Sequence, residues 1–224
     1  MNSLTVNSAS VSDILNALEG LGFTIDSNNG TAQWTKDTNN KIKFLVTESS
    51  PYTTVKAVKS DGTTVVGNAS YSSIMVTTAN PVRIIYETIG DGIAFGIMTA
   101  TAMANNIHWI ISAPVSQDDE WMYVPLASTL YIYNGSTESY VQVTSSAYYN
   151  GSANGIQIVK VYDGSRFMDN VYVTTVAPSI PAVIQANGND YIEATIGSDT
   201  YLVVNIGSQN QPDYNKIAIK KVSA

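Results

Sequence analysis

The stretch VRIIYETIGDGIAFGIMTATAMANNIHWIISAPV, residues Val82–Val115, decides how the chain folds. It holds the densest apolar segments in the sequence: Ile84-Ile85-Tyr86, Ile93 to Met98, and Ile107 to Ile111. Asp91-Gly92 separates the first two, and Ala104-Asn105-Asn106 precedes the third. Short apolar runs bounded by turn residues read as buried strands, although a buried helix has the same pattern over so few positions. We read the stretch as a meander at the heart of a β-rich core. In places it is apolar on both strand faces. That suits a strand between two layers, or one covered by a neighbouring subunit.

The rest of the chain supports strands. It contains five Asn-Gly and three Asp-Gly dipeptides, each suited to a tight turn with positive φ. So many turn signals argue for antiparallel sheets with short connections. The expected fold is mainly β, an antiparallel β-sandwich or barrel-like set of sheets with one N-terminal α-helix. Ser10-Val11-Ser12-Asp13 has the spacing of a capping box. Ile14, Leu15, Leu18 and Leu21 follow at helical spacing, and Gly20 and Gly22 offer a left-handed C-cap. A helix over about 11–21 follows from these signals.

From Phe23 the period changes to two. Strands are expected at Phe23–Ile25, Ala32–Trp34, Lys41–Val46, Thr54–Val58 and Thr63–Val66, the last two as a hairpin across Asp61-Gly62. Ile74–Thr77 leads into the meander. Beyond it come Trp121–Val124, Thr129–Tyr133, Tyr140–Val143, Ile156–Tyr162, Asn170–Val176, a hairpin of Tyr191–Ile196 with Tyr201–Ile206, and a last strand at Ile217–Ile219. The segment Ala147–Gly155 is rich in turn residues and reads as a loop. Thr88-Ile89-Gly90-Asp91 and Thr195-Ile196-Gly197-Ser198-Asp199 echo one another. Two hairpins of similar type explain the echo without duplication.

Composition bounds the function. The chain has 224 residues and a net charge of −7, long enough for a core without disulfides or metals. It has no cysteine, which removes thiolate catalysis and Cys-ligated zinc. No apolar run approaches the roughly 20 residues of a membrane-spanning helix, and the start MNSLTVNSASVSD lacks a basic region, so neither a membrane span nor a signal peptide is expected. No Lys or Arg lies between Arg83 and Lys160, while acids recur there. Nucleic-acid binding needs the opposite field, so no nucleic-acid partner is expected. Residues 1–68 carry five lysines against six acids, and residues 69–224 carry nearly all the net charge. That shift near Gly67-Asn68 suggests a small helix-plus-sheet region, 1–68, and a larger antiparallel β domain, 69–224, unless the whole is one domain.

Few residues invite chemistry. His108 is the only histidine, so any Ser-His-Asp triad would depend on it. An ordinary strand or interface histidine is the favoured reading. Asp118-Asp119-Glu120 is the one run of acids, and contiguous residues on a strand alternate faces, so a solvated turn is the simplest account. No calcium loop, phosphate loop or nucleophile elbow is present. The expectation is a non-enzyme with no catalytic residue, cofactor or metal. Tyrosine is abundant, at 14 residues, and Tyr131 and Tyr133 share a strand face. They serve sheet packing, a protein interface or sugar stacking, and Trp121 with Tyr131 would carry the last of these.

The capped helix, the Cys-free Ser/Thr/Asn/Gly-rich strands and the C-terminal portion from Phe167–Val173 through Ile217–Lys220 resemble small structural proteins of tailed bacteriophages and prophages. The resemblance is one of style over most of the chain and carries over no functional residue. It implies a virion component of the head, neck, tail or baseplate, assembled in the host cytoplasm. Its partners would be copies of itself and other virion proteins. The alternative is a carbohydrate-binding or adhesin β-sandwich with a glycan ligand.

Overall fold

The structure is a computed structural model that describes residues 2–36, 42–67, 73–99, 108–114, 120–124, 131–142, 147–153, 156–162, 167–176, 192–205 and 216–220. The chain starts with β1 (Asn2–Val6) and α1 (Val11–Gly20), followed by β2 (Phe23–Asp26), β3 (Thr31–Trp34), β4 (Lys43–Ser49), β5 (Tyr52–Val58) and β6 (Ser73–Thr77). The quoted stretch supplies β7 (Val82–Ile89), β8 (Gly92–Thr99) and β9 (His108–Pro114). Next come β10 (Glu120–Val124), β11 (Tyr131–Asn134) and β12 (Ser139–Gln142). The last group is β13 (Ala147–Ala153), β14 (Ile156–Tyr162), β15 (Phe167–Val176), β16 (Ile192–Ile196), β17 (Asp199–Asn205) and β18 (Lys216–Lys220). The fold is mainly β, its sheets are antiparallel, and α1 is the one helix among the described residues.

The helix forms for the local reasons its sequence predicts, with two refinements. Asp13 N–H donates to the Ser10 side chain at 3.2 Å, so Ser10 is the N-cap. The reciprocal half of the capping box is replaced. Ser8 Oγ donates to the Asp13 carboxylate, and Ser10 N–H donates to Ser8 Oγ at 3.3 Å. The bonds from Ser8 and then Ser10 hold the Asp13 carboxyl below the usual carboxylate value. At the other end only Gly22 is left-handed, at φ 103°, and Gly20 stays inside the helix. Gly22 N–H donates to the Glu19 carbonyl at 2.9 Å, which closes the last turn. Ile14, Leu15, Ala17 and Leu18 form the buried face.

Two of the three sheets share one core. The five-stranded sheet runs in the order β2-β3-β4-β5-β6, and the seven-stranded sheet in the order β1-β7-β8-β9-β10-β11-β12. Alternation puts Phe23, Ala32, Trp34, Phe44, Val46, Val55, Ala57, Ile74 and Val76 on the inner face of the smaller sheet. Val82, Ile84, Ile93, Phe95, Ile97, Ile110, Trp121 and Tyr133 face them from the larger one. Phe95 is the hinge of the contact. Its ring stands edge-on to Phe23, centroids 5.8 Å apart, and to Phe44 at 5.1 Å. Such pairs add about 0.5–1.5 kcal/mol each beyond their buried area. Trp34, packed on Phe23 at 5.1 Å, donates its indole N–H to the Asp91 carbonyl at 2.8 Å, so a buried polar atom is satisfied across the layers.

Strand pairing crosses the compositional shift near Gly67-Asn68 in both of these sheets. β1 pairs with β7, from Asn2 opposite Tyr86 to Val6 opposite Val82. β6 pairs with β5, so Ile74–Thr77 completes the smaller sheet instead of opening the meander. Ala9 N–H also donates to the Thr78 carbonyl at 2.9 Å. A cut at 68 would break both sheets and split the aromatic cluster. Hydrogen-bond pairing and apolar contact are indifferent to the net charge on either side of that position.

The turns follow local chemistry more closely than dipeptide spelling. In β7–β8 the two turn residues are Gly90 and Asp91, because Ile89 pairs with Gly92. Gly90 has φ 56° and Gly92 is a buried strand residue. In β16–β17, Ile196 pairs with Asp199 and Gly197 has φ 61°. Both hairpins have glycine at the first turn position with positive φ, the pattern of a type II′ turn. That similarity accounts for the echo between them. Gly30, at φ 66°, ends the β2–β3 turn beside the Val46 carbonyl, where an added Cβ would sit at 2.8 Å. Asp61-Gly62 turns as expected, but Thr63–Val66 makes only a single bridge, Val58 with Val65. In the β11–β12 turn the residue with positive φ is Glu138, at 51°, and not Gly135.

The third sheet runs in the order β13-β14-β15-β18-β17-β16. The loop expected at Ala147–Gly155 is instead strand β13 over Ala147–Ala153. Asn150-Gly151 makes a bulge: Tyr149 pairs with Val159 and Gly151 with Ile158, leaving Asn150 as the extra residue. A turn dipeptide inside a strand can be absorbed this way. β18, the short last strand, lies between β15 and β17. The dipeptides Asn154-Gly155, Asp163-Gly164 and Asn187-Gly188, together with Pro178 and Pro181, lie outside the described residues.

Candidate functional site

β8 is the best-protected strand described. Every residue from Gly92 to Ile97 is buried. Ile93, Phe95 and Ile97 point into the shared core. Gly92, Ala94 and Gly96 point the other way, where Ile85 of β7 is also buried, at 2% exposure. The second face of β8 is therefore lined by small residues that allow close cover. Burial on both faces occurs within one chain, so it does not by itself call for a second subunit.

The residues singled out for chemistry are dispersed. His108 opens β9 opposite Ile97. Asp118 and Asp119 lie outside the described residues, and Glu120 opens β10 opposite Asn134. Trp121 is 4% exposed and Tyr133 is fully buried. They stand opposite one another in β10 and β11. Both therefore serve the core, and neither offers a stacking platform for a sugar. The reason is sidedness: Trp121 and Tyr133 share the face that carries Phe95, a fact set by the β8-β9-β10-β11 register. The exposed large apolar side chains described are Tyr52, Met75 and Tyr140. Tyr140 reaches the Gly67 carbonyl through its hydroxyl at 3.5 Å.

The topology does gather acids at one end of the seven-stranded sheet. The β7–β8 turn carries Asp91, the start of β10 carries Glu120, and the β11–β12 turn carries Glu138. Ile89 with Gly92, Glu120 with Asn134, and Asn134 with Ser139 all lie at that end. Adjacent strands are spaced by about 4.8 Å, which spreads these acids along the rim. Among the described residues no three His, Cys, Asp or Glu side chains gather as metal ligands. No described helix is long and apolar enough to cross a membrane.

Two features were missed by sequence reasoning. One is an open groove of about 410 Å³ beside the first turn of α1. Val11, Leu15 and Ile25 form its floor, and Ser12, Asn16, Ser27 and Glu48 its rim. Those residues come from three separate segments, so no local pattern marks them. The other is the Asp61 carboxylate, which organises the turn after β5. It accepts from Thr63 N–H at 2.7 Å, Thr64 N–H at 2.7 Å and Thr64 Oγ1 at 2.5 Å. The Thr64 hydroxyl, then the Thr64 and Thr63 backbone N–H groups, hold its acidity far below the ordinary carboxylate value. Asp-x-Thr-Thr after a strand is a legible signal for such a turn. The arrangement is structural, since every donor belongs to the same turn.

Each sheet ends in two edge strands. β1 and β12 end the seven-stranded sheet, β2 and β6 the five-stranded one, and β13 and β16 the six-stranded one. The chain matches no family model, and neither the curated proteins nor the solved structures provide a match.

Proposed function

We propose that this protein is a non-enzymatic structural component of a bacteriophage particle that works by self-association and by docking on other virion proteins. The observation that carries the reading is a set of sheet-edge strands that hold no charged residue and, among the described residues, pair on one side only. Asn2–Val6, Ser73–Thr77 and Ser139–Gln142 contain no charged residue. Unpaired strand edges are templates for another chain. Interface cores are depleted in charge, which fits strands of this composition. The resemblance in style to tailed-phage structural proteins points the same way.

Purified native particles and the isolated protein test this reading together. The expected result is that mass spectrometry finds the chain in the particles and light scattering gives a mass above that of one chain. A strictly monomeric protein that is missing from particles would overturn it.

A further inference from the structure

We propose that β6 is the strand through which two copies of this chain join, edge to edge and antiparallel, centred on Met75. The proposal rests on the self-association reading above and names its surface. β6 ends the order of the five-stranded sheet, and among the described residues no strand pairs with its outer side. Such an edge presents N–H and C=O groups that a second strand completes. Proteins usually blunt an edge with lysine, proline, a bulge or very short length. Ser73-Ile74-Met75-Val76-Thr77 has no charge and no proline, and it runs against β5 without a register shift. β2, at the opposite edge, is four residues long and ends in the exposed Asp26.

The segment is also complementary to itself. Ile74 and Val76 point inward and are buried, while Met75 points outward and is 53% exposed. In an antiparallel pair centred on Met75, Met75 stands opposite the second copy's Met75. Ile74 then stands opposite Val76, and Ser73 opposite Thr77. Inward residues meet inward residues, so the apolar face continues across the junction. The outward row reads Thr47, Thr54, Met75, then the same three residues of the second copy in reverse. No charge lies in that row, so two chains of net charge −7 approach there without a like-charged pair. The arrangement is a two-fold, isologous contact that closes at a dimer.

The absence of cysteine makes the test clean. Facing residues of an antiparallel pair have Cα atoms about 4.5–5.5 Å apart, within disulfide range. Met75→Cys under mild oxidation is expected to give a covalent dimer, whereas Glu19→Cys, on the exposed face of α1, is not. Met75→Lys puts two ammonium groups opposite each other and is expected to weaken association by roughly tenfold or more, with unchanged circular dichroism. Suppose the wild type is a dimer, yet Met75→Cys forms no cross-link and Met75→Lys leaves association unchanged. That result would overturn the β6 contact and leave self-association standing. A monomeric wild type whose Met75→Cys variant stays uncross-linked would overturn both.

Discussion

β8 and β6 are both apolar strands beside the same core, yet they occupy opposite extremes of it. β8 lies inside the seven-stranded sheet, between β7 and β9, and is buried on both faces from Gly92 to Ile97. β6 ends the five-stranded sheet, burying Ile74 and Val76 and exposing Met75. The difference shows that apolar content does not set a strand's position. What separates the two is the second face. Gly92, Ala94 and Gly96 allow close cover on the second face of β8, while Met75 stands in solvent on that of β6.

Substitutions along the two strands test this contrast, and the largest effect belongs to the core face of β8. Phe95→Ala removes the ring that joins Phe23 and Phe44 across the layers. A loss of about 3–5 kcal/mol in denaturant unfolding is expected; a loss under about 1 kcal/mol would mean the two sheets do not share a core. Ala94→Leu probes the other face of β8. Ala94 is fully buried, so overpacking should cost about 1–3 kcal/mol. A neutral result there would reduce β8 to a one-sided strand. Trp34→Phe deletes the bond to the Asp91 carbonyl and removes one ring of a buried indole, for a cost of about 1–3 kcal/mol.

Acid should act more weakly, through the turn that follows β5. The folded acidity of Asp61 lies below the ordinary value of 3.8, chiefly because Thr64 donates to the carboxylate. Its contribution is therefore complete at neutral pH and begins to fade as pH falls past about 3.8, as protonation removes the acceptor. In Asp61→Asn this part of the acid sensitivity should disappear from unfolding curves taken across roughly pH 2–5. The smallest effect is expected at the edge. Met75→Ala should change the stability of the isolated chain by no more than about 0.5 kcal/mol. A larger loss measured at a concentration where the chain is monomeric would show that Met75 packs within its own chain.

Much of the fold was legible where the signals are local. Ser10, Asp13 and the spacing of Ile14, Leu15 and Leu18 placed α1, because capping and helical periodicity involve residues within one or two turns. Glycine in the tight turns marked the hairpins around Gly90 and Gly197. The same logic failed at Asn150-Gly151, where pairing with β14 absorbed the turn dipeptide as a bulge. It held only in part at Thr63–Val66, where the hairpin pairing stops after the Val58–Val65 bridge and β6 continues the sheet from Lys56. The candidate site was less legible. Trp121 looked available for stacking because an aromatic on a strand has two possible directions, and only the register across β8 to β11 chooses between them.

By itself, then, the sequence determined the class of the fold: a mainly β chain of antiparallel strands with one capped helix. Period-two alternation, turn glycines and a capping serine act over a few residues and need no distant partner. Tertiary structure alone decided that β1 joins β7, that β6 joins β5, and that residues 1–68 share a core with the meander. It also decided that acids from three separate segments fall at one end of a sheet. These outcomes depend on which strand edge finds which other, a choice made by burying Phe95 against Phe23 and Phe44. No pattern confined to a single segment records it.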